Sequence, residues 1–147
     1  MTGTASAHAC PLCQADGGIL IARSGGCRVI RADEPGFPAF YRVVLDHHVA
    51  EWSDVPDDQQ LSVMRVVNTV ERVLRGQLHP TKINLAALGN LVPHVHWHVI
   101  ARFDWDSHFP APIWAQPLRT APSERLSALA QRLPRVDDLL RQRLLPG

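Results

Sequence analysis

The chain has 147 residues, with 15 Lys plus Arg against 14 Asp plus Glu, and 3 cysteines. Such a length supports one domain whose core holds without disulfides, and the near-balance of charge argues against a broad polyanion-binding surface. The apolar runs fall far short of the roughly 20 residues a membrane-spanning helix needs.

The first stretch, "MTGTASAHACPLC", has neither the basic nor the apolar region of a secretory signal, so a cytoplasmic, reducing location is the expectation. In that setting "CPLC" (Cys10, Cys13) reads as a metal or redox pair, and Cys27 as a small packed hydrophobe. Two short apolar runs, residues 19–23 and 27–32, flank Ser24-Gly25-Gly26 and predict a hairpin. "DEPGFPAF" marks a loop, and "FYRVVL" at residues 40–45 reads as a third strand.

From Ser53 the periodicity changes. Ser53 or Asp54 as N-cap, Pro56 and two acidic residues open a helix of about 20 residues, with Leu61, Met64, Val67, Val70, Val73 and Leu74 as its apolar face. Gly76 and then Pro80 predict its end. "KINLAAL" (82–88) and "HVHWHVIARF" (94–103) are two more strands, joined through Gly89-Asn90. "FPAPIWAQP" predicts irregular chain, after which Ser123 caps a last helix that Pro134 interrupts before "RVDDLLRQRLL" resumes. His8, His79 and His108 fall in expected loops and read as solvated. The order predicts an α+β domain: a mostly antiparallel sheet of about five strands, a long helix packed on it, and a C-terminal helix.

The most informative stretch is "HVHWHV". His94, His96 and His98 alternate with Val95, Trp97 and Val99, so a strand would carry three imidazoles on one face and a packed surface on the other. Such a row has no folding advantage, because every buried ring nitrogen needs a partner. Two chemistries suit it. Neighbouring histidines can tilt onto one metal ion, with N–zinc bonds of about 2.0–2.1 Å. Alternatively, a neutral imidazole attacks a phosphoryl centre while another stabilises charge or protonates the leaving group. The residues alone leave open a metal-dependent hydrolase, a covalent phosphoryl-attacking enzyme, and a nucleotide-binding module with little turnover.

"HVHWHVI" resembles the His-φ-His-φ-His-φ-φ signature (φ apolar) of the histidine triad (HIT) family of nucleotide hydrolases and transferases. "VVLDHHVAEWSDV" and "KINLAALGNLVPHVHWHV" resemble the family's segment after the third strand and its last two strands. The resemblance covers residues 10–114 of a single domain spanning 1–147, leaving 115–147 as a C-terminal helical extension.

The resemblance implies a HIT-like fold in which His96 is the nucleophile. His96 would attack the α-phosphorus of a dinucleoside polyphosphate or nucleoside phosphoramidate, an adenine nucleotide for preference. Water would then cleave the nucleotidyl-histidine. His98 would lie beside the phosphate, and His94 would complete the triad. Asn84 and Asn90 match positions that contact phosphate or ribose, Asn90 standing where many members have Gln. Ile30 and Asp33 are candidates for the base, and Trp114 for either the nucleotide site or ordinary packing. Phe40 departs from the family, many members having a further histidine there.

Some bacterial members, and the related galactose-1-phosphate uridylyltransferases, bind zinc through an N-terminal Cys-x-x-Cys, a histidine after the third strand and the first histidine of the motif. Cys10, Cys13, His48 and His94 match those positions, with His47 competing with His48. The implied site is structural and closed, with one zinc per chain. A homodimer is expected, as in the relatives.

Overall fold

The computed structural model describes residues 9–144; His8 lies outside them. Among the described residues, β1 (Ile19–Ser24), β2 (Cys27–Arg31), β3 (Phe40–Leu45), β4 (Lys82–Ala86) and β5 (His96–Arg102) form one antiparallel sheet in the order β1-β2-β3-β5-β4. The helices are α1 (Pro11–Gln14), α2 (Asp57–Leu78) and α3 (Ser123–Arg143). The fold is α+β, as the order of elements predicts. No described helix is long and apolar enough to cross a membrane.

The β1–β2 hairpin closes through Gly25 and Gly26, with φ of 60° and 77°. A two-residue turn needs φ above zero at both central positions to follow the strand twist, so two glycines fit. Alternation then gives the sheet two faces. Val29, Tyr41, Val43, Val99 and Ala101 pack under α2 and α3 in the main core. On the other face Ile30 and Val44 pack with Cys10 and Leu12, while Phe40 and Ile100 pack with Phe37 and Ile113. His96, His98 and Arg42 share this second face, since Arg42 pairs with His98 in the β3–β5 register.

Several boundaries differ from those read in the sequence. A single 3-10 turn at Trp52–Asp54 precedes α2, so Pro56, and not Ser53 or Asp54, is its N-cap. The helix runs through Gly76 to Leu78, and His79 ends it in a left-handed conformation. The buried stripe is Val63, Val66, Val67, Val70, Val73, Leu74 and Leu78, whereas Leu61 is 63% exposed. Two residues turn a helix by about 200°, which puts Leu61 on the far side from Val63.

Pro134 does not interrupt α3. It lies on the solvent side beside an exposed Ala130, the residue whose carbonyl its missing N–H cannot reach, so the lost helical bond falls where water is at hand. Leu129, Leu133, Val136 and Leu140 meanwhile stay buried. Asp137 fixes the same helix to the sheet by accepting hydrogen bonds from Tyr41 Oη at 2.7 Å and from Arg31 at 3.1 and 3.2 Å. β4 stops at Ala86 and β5 begins at His96, so both strands are shorter than the 82–88 and 94–103 the pattern predicts and His94 precedes β5.

Candidate functional site

The N-terminal helix, the end of β3 and the approach to β5 bring Cys10, Cys13, His48 and His94 together, with their ligand atoms all within 4.8 Å of one another. His94 Nδ1 lies 3.5 Å from both Cys10 Sγ and Cys13 Sγ, and His48 Nδ1 lies 3.3 Å from Cys13 Sγ. Tetrahedral bonds of about 2.1–2.3 Å would put ligand atoms about 3.4–3.8 Å apart, so the donor set fits a zinc-sized ion. The tautomer fits too. His94 Nε2–H donates to the Leu45 carbonyl at 2.6 Å, which leaves Nδ1 unprotonated and facing the sulfurs. His48, and not His47, stands in the cluster.

The carbonyl of His94 has a second role. It accepts from His96 Nδ1–H at 2.6 Å, so the lone pair of His96 is on Nε2. His96 and His98 follow at alternate positions of β5 with ring centroids 4.9 Å apart. Here the structure places a residue the sequence reading missed: Arg42 Nε donates to His98 Nδ1 at 3.3 Å. A ring nitrogen that accepts cannot carry the proton, so His98 is the Nε2–H tautomer. Burial, with the charges of His96 and Arg42 behind it, pushes the His98 pKa down to about 3. Burial likewise lowers that of His96, against the bond to the His94 carbonyl.

These groups line a cleft of about 540 Å³, the size of a small-ligand site. Asn90 and Trp114 also line it, with Leu12, Leu88, Leu91 and Val92 as apolar wall. The Trp114 ring stands 5.3 Å from that of His98, and Phe40 meets His98 edge-on at 5.4 Å.

The other expected site residues lie elsewhere. Asn84 is on the histidine face, but its Oδ1 accepts from Arg102 Nη1 at 2.8 Å. Ile30 is buried under Cys10 and Leu12, and Asp33 is exposed; neither lines the cleft. His79 is exposed as expected. His108 is not simply solvated: it is half-buried, shares a hydrogen bond with Ser107 at 2.7 Å and packs on Phe37. Cys27 is fully buried in the core, and burial pushes its thiol up to about 12, as a packing role requires.

Beyond β5 a buried clasp holds the irregular segment that carries Trp114. Arg102 grips both oxygens of Asp106 at 2.8 and 3.1 Å and donates to the Ala111 carbonyl at 2.8 Å. Asp106 in turn accepts from the N–H groups of His108 and Phe109. Burial alone would raise the Asp106 carboxyl, but the Arg102 bond and those two N–H groups hold it below its usual value.

A four-donor cluster next to a cleft with paired imidazoles is the arrangement the fold builds on its second sheet face. The chain belongs to the HIT domain family, whose model matches residues 17–105, and so to a superfamily of nucleotide hydrolases and transferases. No curated protein matches it significantly. It is similar to a histidine triad protein from Bradyrhizobium japonicum at 30% identity, covering 82% of this chain and 90% of that one, with a TM-score of 0.65. A histidine triad protein from Sinorhizobium meliloti is 28% identical over 82% and 90%, also with a TM-score of 0.65. A Zn-bound histidine triad family protein from Mycobacterium smegmatis shares the fold at 21% identity over 90% and 98%, with a TM-score of 0.60.

Proposed function

We propose that this protein is a nucleotide hydrolase that releases a nucleoside monophosphate from a dinucleoside polyphosphate or nucleoside phosphoramidate through a covalent nucleotidyl-His96 intermediate. The observation that carries the reading is the 2.6 Å bond from His96 Nδ1–H to the His94 carbonyl, which aims an unprotonated Nε2 from the cleft wall. Nε2 forms a bond to the α-phosphorus as the bond to the leaving group breaks. The leaving group departs with the bonding electrons and takes its proton from solvent; water then attacks the same phosphorus and gives up a proton to solvent, the P–N bond breaks, and His96 is regenerated. His98, neutral with a proton on Nε2, donates a hydrogen bond to the phosphoryl oxygens as charge develops on them.

The geometry favours this over catalysis by a metal held in the histidine row. Four donors within 4.8 Å of one another are enough for a tetrahedral ion without His96 or His98. We assign the cluster to one structural zinc, held by Cys10, Cys13, His48 and His94, consistent with the Zn-bound Mycobacterium relative. When bound, the ion would pin the N-terminal segment to the start of β5 and steady the His94 carbonyl that orients His96.

The test is intact-protein mass after a brief incubation with a fluorogenic adenosine phosphoramidate, quenched in acid mild enough to keep a phosphohistidine. Wild type should gain an adenylyl group and release AMP; His96→Ala should do neither. Turnover by wild type with no mass gain, abolished by chelation, would instead favour the metal-dependent mechanism.

A further inference from the structure

Arg42 lines the cleft with a charge that packing of the fold does not require. Arg28, Arg31, Arg102 and Arg119 all direct terminal guanidinium nitrogens at carbonyl or carboxylate oxygens. Arg42 engages His98 through Nε; among the described residues its Nη1 and Nη2 make no hydrogen bond and no close ion pair, although the Glu34 carboxylate acts on its charge from a distance. Its guanidinium carbon stands 4.8 Å from the Phe40 ring centroid, so the stem and plane are braced from below while the terminal nitrogens are left to the cleft it lines. The terminal nitrogens stay open to the solvent of the cleft, where a ligand can replace water on them, and partial burial already disfavours the charge of the group. The guanidinium nevertheless keeps its proton at any working pH.

We propose that Arg42 is a substrate-binding residue: its terminal nitrogens form a fork on the oxygens of the nucleotide phosphate, while its Nε holds His98 in the Nε2–H form. This rests on the reading above and names the phosphate as the group recognised. The two halves depend on each other. With Nδ1 of His98 occupied by Arg42, His98 contributes a directed donor and no charge, so the fixed cation facing the phosphate is the guanidinium. A planar fork matches two phosphate oxygens in a way a single ammonium does not. Register sets the pairing, since Arg42 and His98 are direct partners across β3 and β5.

The experiment measures AMP affinity by calorimetry, turnover of the fluorogenic phosphoramidate, and the His98 tautomer by long-range 15N–1H correlation, in wild type, Arg42→Gln and Arg42→Lys. Arg42→Gln should weaken AMP by about 10- to 100-fold, the range for a lost charge-assisted contact. It should also release His98 to mixed tautomers, which a merely structural change would not do selectively. Arg42→Lys should fall between, keeping charge and losing the fork. AMP affinity within twofold of wild type in Arg42→Gln overturns the proposal, as does failure of wild type to bind AMP. Should Arg42→Gln not fold, wild-type affinity in Arg42→Lys overturns it. Arg42-dependent AMP binding without wild-type turnover would sink the hydrolase reading and leave Arg42 standing. Turnover indifferent to Arg42 would do the reverse.

Discussion

At the scale of single residues, hydrogen-bond partners decide which nitrogen each imidazole presents. The Leu45 carbonyl takes Nε2–H of His94, the His94 carbonyl takes Nδ1–H of His96, and Arg42 fills Nδ1 of His98. Three histidines that look equivalent in the sequence therefore present different ring atoms: an unprotonated Nδ1 on His94, an unprotonated Nε2 on His96 and an Nε2–H on His98. A pH profile tests this. In the proposed mechanism His96 attacks only when neutral, and burial holds its pKa below the ordinary 6.5, so kcat/KM should fall as pH drops through a midpoint below that value. His98, at about 3, should add no inflection between about pH 5 and about 8. A bell in that range would mean that His98 titrates as a general acid. The period-two spacing made the row legible; the partners were not, because they come from residue 45, the backbone of residue 94 and a strand 56 positions away. Arg42 left a faint signal, a lone cation in "FYRVVL" on the face that carries Phe40 and Val44.

At the scale of elements, the strands were readable from Gly25-Gly26 and from β-branched alternation. Helix phase was less so: Leu61 is apolar and correctly spaced yet exposed, Met64 packs half-buried at the edge of the core, and the buried stripe also takes in Val63 and Val66. The Arg102–Asp106 clasp had no sequence signature, since its four-residue spacing falls in a strand end and a loop and not in a helix. Both side chains are almost wholly buried, at 1% and 3% exposure, so removing one strands the other. Asp106→Ala should cost about 3–5 kcal/mol in denaturant unfolding at neutral pH. It should also lower kcat/KM by freeing the segment that seats Trp114 beside His98. The acid dependence has a definite sign. The Asp106 pKa is lower folded than its reference 3.8, so its contribution is present above that pH and fades as pH falls through the folded value. Asp106→Ala should therefore flatten the acid limb of stability, and an unchanged limb would show that other carboxyls govern it.

At the scale of the whole molecule, the cluster ties together stretches that are remote in sequence: Cys13 lies 35 positions from His48 and 81 from His94. Closing loops of that length costs entropy that only a strong linkage offsets, and α1, at four residues, is too short to hold itself. The same N-terminal stretch covers Ile30 and Val44 and supplies Leu12 to the cleft wall. An ion bound by the folded state alone stabilises through its occupancy, and its loss should unseat the N-terminal segment before the sheet. Protein purified without chelator should carry one zinc per chain by elemental analysis. Stripping it, or Cys13→Ser with His48→Ala, should lower the melting temperature by about 2–8 °C, the shift expected for a kcal/mol or two in a chain this size. It should also slow formation of the His96 adduct, because the carbonyl that orients His96 belongs to His94. Metal-free protein with the same melting temperature and the same adduct rate would leave Cys10, Cys13, His48 and His94 as a reduced thiol and imidazole pair packed together, with no part in aiming the nucleophile.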